Sequence, residues 1–403
     1  MKNKPTANSG AGIAAACLSA PPLRRRYRPL ASLALACFGL AGVQLSHAEG
    51  VGLLETIHRH HTLTSTVPEN GDLNPYAVVV APVSVGKIQQ GDVLVSNFNN
   101  VSNLQGTGGT IMNYSPTTGK TTVFASFPQQ LAECPGGVGL GTAMTMLKNG
   151  WVIVGSTPSR DGTTRTKGDG CLLVLDANGK HVATWKGPNI NDPWGNMATV
   201  DNGDTATIFV SMSGFDVPGP EVKDPATGEP VVVKKAKVLR MQLSTAAGQI
   251  PTIVNETVVA DGFSQRADKD VFLVGPTGLA LGSDDTLYVS DALDNRVVAI
   301  PKASTRTDSG GTGQVVTQGG LLKRPLAMVM TPAGHLLVTN AKNGQVVEVD
   351  PAAGKQLYAQ WIDSNQAQFP PGNGDLFGIA MSLDGKRFYY VQDDVNTLVE
   401  GTP

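Results

Sequence analysis

The sequence predicts an all-β fold: a six-bladed β-propeller closed by an N-terminal strand and preceded by a cleaved signal peptide. Three observations carry that expectation. One complete meander of short strands, PTGLALGSDDTLYVSDALDNRVVAI from Pro276 to Ile300, recurs as weaker copies before and after itself. Six apolar inner-strand starts can be counted along the chain, and the last copy reaches Pro403 with one strand missing.

Within the complete unit, Leu279 to Leu281 forms an apolar inner strand and Gly282 to Asp285 a polar turn. Leu287 to Ser290 is a second strand, Asp291 to Asn295 supplies turn formers, and Arg296 to Ile300 is a third apolar run. Such a meander cannot bury both faces alone and needs copies stacked around an axis. The six inner strands begin at Asn74, Gly139, Pro193, Pro276, Pro325 and Leu376. Second strands follow at 92–96, 151–155, 207–211, 286–290, 335–339 and 387–392, and further third strands at 110–114, 172–175, 237–241 and 345–349. The missing strand of the last copy falls to Ile57–Val67, which would complete the sixth blade and remove an open edge.

Pro276, Gly278, Leu279, Ala280, Asp285, Leu287, Tyr288, Val289, Asp291, Asn295, Arg296 and Val297 resemble the NHL repeat. The next copy, Arg324 to Lys355, resembles the repeat of the regucalcin/gluconolactonase superfamily. Both resemblances imply a six-bladed propeller, and they speak to architecture more than to activity.

Residues 1–48 hold six Lys or Arg and no acid, with Arg24, Arg25, Arg26 and Arg28 just before the apolar run Leu30–Leu45. Ala48 ends a small-residue cleavage site, and the run is shorter than a membrane span requires. The expectation is a periplasmic or secreted protein whose domain covers 49–403, with Sec and Tat export both open. Setting those six cations aside leaves 25 basic against 33 acidic residues, so the domain is acidic. That excludes nucleic acid and anionic membrane surfaces as expected partners and leaves a monomer with no membrane span. Cys134 and Cys171 are the cysteines that remain after cleavage, and an exported pair in one blade suggests a disulfide.

The links between second and third strands are long in the first three blades, at 97–109, 156–170 and 213–236, and the last has the Pro/Gly turns of a projecting hairpin. Alternating strand direction places these links on the face where the inner strands begin, so they rim one mouth of the channel. In the lactonase superfamily, the resemblance implies a catalytic metal at that mouth, held by an acidic residue in the first blade and by Asn and Asp beside the inner-strand glycine. Here Thr277 and Leu326 stand at the matching Asn and Asp places, and no Glu stands near Pro75. Leucine offers no oxygen to a hard cation.

The corresponding positions in the six copies are Tyr76, Leu140, Trp194, Thr277, Leu326 and Phe377. In a chain with 5% aromatic residues, this set suggests either a recessed binding pocket or a plugged channel. Asn97, Asp291, Asn340 and Asp393 end second strands and could offer oxygens to calcium, or could cap their own turns. His58 and His60 share a face of the closing strand while His61 points away, which does not make a three-ligand site. No nucleophile elbow, P-loop, zinc or dinucleotide motif is present in the sequence. The sequence therefore favours a module that binds a small apolar, aromatic or sugar-like ligand, or a protein partner, at the loop-rimmed mouth. The alternatives are a lactonase-like hydrolase or lyase with a non-standard cation site, and a structural propeller with a plugged channel.

Overall fold

The computed structural model describes residues 52–403 apart from Ser364 and Asp375. The export segment expected at 1–48 lies outside the described residues. Six antiparallel sheets stand around an axis. Blade 1 is Leu73–Val80, Val93–Asn99, Thr110–Ser115 and Lys120–Ser126; blade 2 is Leu140–Met146, Val152–Ser156, Cys171–Leu175 and His181–Trp185. Blade 3 is Ala198–Asp201, Thr205–Met212, Val233–Ser244 and Thr252–Asp268, with Phe272–Val274 as a fifth strand. Blade 4 is Pro276–Leu281, Leu287–Asp291, Arg296–Ile300 and Gln314–Gln318; blade 5 is Pro325–Met330, Leu336–Asn340, Gln345–Asp350 and Lys355–Trp361. Blade 6 is Leu376–Met381, Phe388–Gln392, Thr397–Thr402 and, from the other end of the chain, Arg59–Ser65.

The second strands are continuous apolar runs because each is covered on both faces by neighbouring blades. Val152–Ser156, Leu287–Asp291 and Leu336–Asn340 are buried along their whole length. Fourth strands such as Lys120–Ser126 and Gln314–Gln318 lie at the rim and are largely exposed. The cores lie between blades. Leu140 and Val154 pack with Ala77 and Phe124 from blade 1, and Ile153 and Leu172 pack with Ile208 and Leu239 from blade 3.

A shared device joins the inner strands. Each inner strand of blades 1, 4, 5 and 6 carries a bulge near its start, between Pro75 and Val78 in blade 1 and between Pro276 and Leu279 in blade 4. A bulge withdraws backbone groups from the ladder, and a hydroxyl on the second strand takes them up. Ser96 Oγ accepts from Ala77 N at 3.0 Å and donates to Gly141 O of the next blade at 2.8 Å. Ser211 repeats this between Gly195 N and Thr277 O, and Ser290 between Gly278 N and Leu326 O. Thr339 donates to Phe377 O at 3.0 Å. The glycines of this position permit the close approach: a Cβ on Gly278 would lie 2.3 Å from Leu326 O, and one on Gly378 2.2 Å from Tyr76 O.

The ring is closed by the N-terminal strand. Arg59 pairs with Thr402 and Ser65 with Thr397, around a bulge at Thr62–Thr64. Before it, the short helix Leu53–Thr56 docks on blade 5. Glu348, fully buried, accepts Leu53 N and Leu54 N at 2.9 Å each and stands 2.8 Å from His335 Nδ1. Leu54 and Ile57 enter the core between blades 5 and 6, and Gln360 Nε2 donates to Ile57 O. The amino-terminal stretch thus latches two blades. In blade 2, Cys134 and Cys171 form a disulfide across a Cα–Cα distance of 5.4 Å.

Glu348→Ala would leave two helix N–H groups and the His335 ring without their acceptor, and is expected to cost about 2–3 kcal/mol. Chemical denaturation and hydrogen exchange of the 57–65 amides measure it. Removing residues through Ser65 would bare the Thr397–Thr402 edge and should lower the melting temperature further; an unchanged transition in both variants would show that closure does not depend on this latch.

Candidate functional site

The mouth where the inner strands begin is filled by aromatic side chains. Tyr76 stacks on Phe377 with centroids 3.8 Å apart and on Phe98 at 4.5 Å, while Trp194 meets both Tyr76 and Phe98 edge-on at 6.0 and 5.5 Å. Leu326 joins the same cluster, and Tyr76, Trp194, Leu326 and Phe377 are each no more than 1% exposed. A ligand at these side chains would have to displace a packed stack.

The other two sequence-assigned lining residues sit elsewhere. Leu140 faces the core between blades 1 and 2; it pairs with Ser156 as Pro75 pairs with Asn97, so it matches Pro75 and precedes the lining position. The position matching Tyr76 is therefore Gly141, and a Cβ there would lie 3.8 Å from Trp194 Cε3, so the missing side chain leaves room for the indole. Thr277 is buried and donates to Gly275 O at 3.0 Å.

Sequence reasoning missed two plug residues: Phe98, which follows Asn97 as Ala292 follows Asp291, and Phe272. The 17-residue strand Thr252–Asp268 overruns its blade, turns, and returns as Phe272–Val274. Phe272 has φ 68° and sets its ring 5.6 Å from Phe98 and 6.1 Å from Trp194. The turn is tied to distant blades: Asp268 pairs with Arg324 at 3.0 Å, Asp270 with Lys342 at 3.7 Å, and Gln105 Nε2 donates to Asp270 O at 3.1 Å. It forms a cover over the axis.

Beside that cover, between blades 6 and 1, lies a polar recess of about 470 Å³. Asn74, Asn103, Asp270, Asn373, Asp393 and Asn396 contribute to its wall, together with Asp394 and Gln368, and no cationic side chain lines it. Asn74, at φ 58°, donates through Nδ2 to Asp393 Oδ2 at 3.3 Å, and its backbone N–H donates to Asn396 Oδ1 at 2.7 Å. Two residues on, the fully buried Tyr76 hydroxyl makes no hydrogen bond among the described residues. Burial, then the nearby carboxylates of Asp393 and Asp268, push its phenol well above the ordinary value.

The four residues considered for calcium are spread over four blades, each with neighbours of its own. Asn97 Nδ2 donates to Thr66 O and Thr110 Oγ1. Asn340 bridges Lys323 N and Leu321 O. Asp291 pairs with Arg296 at 2.8 Å, although burial and the adjacent Asp294 charge still raise its pKa. Asp393 alone faces the recess, one residue beyond the matching strand position, which Gln392 occupies. Among the described residues no group of three His, Cys, Asp or Glu side chains is placed to hold a metal ion. His60 lies against Tyr390, with Nδ1 3.2 Å from the phenol oxygen, and burial lowers its pKa.

Asp192, at the same face, is a buried acid that sequence reasoning missed. Lys167 Nζ stands 3.1 Å from Oδ2, yet burial outweighs the lysine and raises the carboxyl to about 7. A folded pKa above the unfolded one means that the folded state holds the extra proton, so stability falls as pH rises from about 4 to 7. Asp291 acts in the same direction. Urea midpoints measured between pH 4 and 8 should decline over this window, and less steeply in Asp192→Asn; equal slopes would remove Asp192 as the cause.

No protein-family model matches the sequence, and no curated protein sequence matches it. Solved structures do resemble the fold. A gluconolactonase from Xanthomonas campestris superposes with TM-score 0.52 at 13% identity, over 87% of this chain and 91% of that one. A glucose dehydrogenase superposes with TM-score 0.52 at 14% identity, over 86% and 99%. A luciferin-regenerating enzyme gives 0.50 at 12%, over 86% and 95%. The chain is a six-bladed β-propeller similar in fold to gluconolactonase and related propellers.

Proposed function

We propose that this propeller binds a neutral, polyhydroxylated small molecule, a sugar or sugar lactone, in the polar recess beside the covered mouth, and releases it unchanged. The observation that carries this reading is the composition of the recess wall. Three carboxylates and four asparagine amides offer acceptors and donors without a facing cation. Ligand hydroxyls can donate to Asp393 and Asp394 and accept from the amides, while Asp270 is paired with Lys342; an anionic ligand would meet a wall whose charged lining side chains are all carboxylates. The volume lies within the range of small-molecule sites.

Binding without chemistry is supported by the strand starts. Leu326 stands where the lactonase resemblance implies an Asp ligand, and its side chain is committed to the plug. The long links of blades 1 to 3 frame the same face. The Ser213–Ala236 link carries a small hairpin, with Lys223 bridged to Pro230 and a turn at Asp224–Gly228. Export to the periplasm or beyond, as the basic and apolar amino-terminal stretch suggests, would bring such a module into contact with external sugars.

Isothermal titration with glucose, with glucono-1,5-lactone and with calcium chloride tests the reading. Saturable binding of a neutral sugar is expected, weakened at least tenfold by Asn373→Leu and by Asp393→Asn, with no turnover of the lactone. Calcium binding without sugar binding would replace this reading by a cation site in the same recess. Lactone hydrolysis that Asp393→Asn abolishes would replace it by an enzyme.

A further inference from the structure

We propose that the opposite mouth of the channel is a second binding site, a blind methionine-lined funnel that takes a small, uncharged, apolar molecule. It does not rest on the polar recess, which lies on the other face. The inner strands of all six blades contribute to this cavity of about 340 Å³ with their C-terminal halves. Five of the ten methionines in the chain, Met144, Met197, Met328, Met330 and Met381, lie in its wall. They come from four different blades, so the clustering arises from the ring and from no local run of sequence.

The funnel is closed at its inner end by the aromatic plug. Val78, Asn196 and Ile379 line it two residues beyond Tyr76, Trp194 and Phe377 on the same strands. Successive strand residues advance by about 3.3 Å, so the stack forms the floor.

The chemistry of the wall selects the ligand. No titratable side chain lines the cavity. Its polar side chains are largely committed to one another or to backbone. Thr145 and Thr199 share a hydrogen bond of 2.9 Å. Asn196 reaches from blade 3 to donate to Leu279 O and Met328 O, both at 2.9 Å, and accepts from Met328 N at 3.1 Å, which joins the inner strands of blades 3, 4 and 5. A charged ligand would be desolvated there without a partner. Met144, Met197 and Met328 pack into the cores between blades, and an apolar ligand gains contact with the half-buried thioethers of Met330 and Met381, which repack around varied shapes at small cost. At the outer lip, Leu383 is 55% exposed, and Val80, Met330 and Met381 are half-buried, so the funnel opens to solvent as an apolar surface. The space admits a molecule of about ten heavy atoms, on the basis of roughly 30 Å³ for each water-sized group.

The test is a fluorescence titration of the purified protein with 1-aminonaphthalene, a neutral apolar probe of matching size, followed by displacement with 1-decanol. One saturable site is expected, with emission lost on adding decanol and unaffected by glucose. Met330→Lys and Met381→Lys place a charge in the wall and should each weaken the probe at least tenfold, at unchanged circular dichroism. Should either fail to fold, Leu383→Glu at the exposed lip should still weaken it about threefold. Asn373→Leu, in the recess on the other face, should retain the site. Probe binding that is absent, unsaturable, or equal in wild type and all funnel variants overturns the proposal. So does stoichiometric uptake of Cu(I) by a protein that takes up no probe, which would make the thioethers a soft-metal site instead.

Discussion

The hydroxyl that joins the second strand to the next blade, present in blades 1, 3, 4 and 5, is the constraint on which this ring depends. A propeller must bend every inner strand so that six edges can meet at one axis, and the bulge near each strand start does so. That bend would leave a buried N–H unpaired, at a cost of about 1–3 kcal/mol. Ser96, Ser211 and Ser290 take up that N–H and pass a hydrogen bond to the carbonyl of the neighbouring blade. One group thus satisfies the bulge and fixes the angle between blades. Where the pattern lapses the ring compensates. Gly155 replaces the serine in blade 2, and Thr142 Oγ1 donates to Trp194 O instead. Val391 replaces it in blade 6, where Tyr76 stacks on Phe377 and Asn74 bonds Asn396 and Asp393 across the seam.

These clips also decide where a ligand can go. They hold the residue beside each bulge against the axis, so that residue is either a floor or a plug. Here it is a plug, and the overrun of the Thr252–Asp268 strand adds Phe272 from above. Aromatic rings in contact at 3.8 to 6.1 Å leave no room at the axis on this face. Space survives in two places: off the axis, where the cover and the 368–374 link stand apart from Asn74, and beyond the plug, where the strand ends diverge. The first is walled by carboxylates and amides, the second by thioethers and aliphatic groups.

Much of this was legible in the sequence, for physical reasons that differ by element. Inner, second and third strands read clearly because burial on both faces makes them apolar runs, as in Leu336–Asn340. Fourth strands such as Gln314–Gln318 were missed because one face is wet and their residues look like loop. The closing strand was found by counting, since an unpaired edge at Thr397–Thr402 needs a partner. The mouth was only partly legible. Tyr76, Trp194, Leu326 and Phe377 meet as the alignment of copies suggested, but blade 2 was read one residue out of register, since Leu140 pairs as Pro75 does and Gly141 takes the lining position. Phe272 belongs to an insertion outside the repeat, so no periodicity could place it. The five methionines went unnoticed because each reads as an ordinary core residue of its own strand.

The same logic separates what the fold dictates from what this chain has added. Serine clips, bulge glycines and apolar second strands serve closure, and any propeller of this shape needs equivalents. The strap from Thr252 to Val274 does not serve closure: blade 3 already has its strands, and the strap instead uses Asp268 and Asp270 on contacts with Arg324 and Lys342 of blade 5 and with Gln105 of the blade 1 link. A segment of blade 3 tied across the axis to blades 1 and 5 stiffens the mouth and seals it. It also contributes Asp270 to the recess wall. The feature that closes the axial mouth is therefore the feature that helps build the recess beside it.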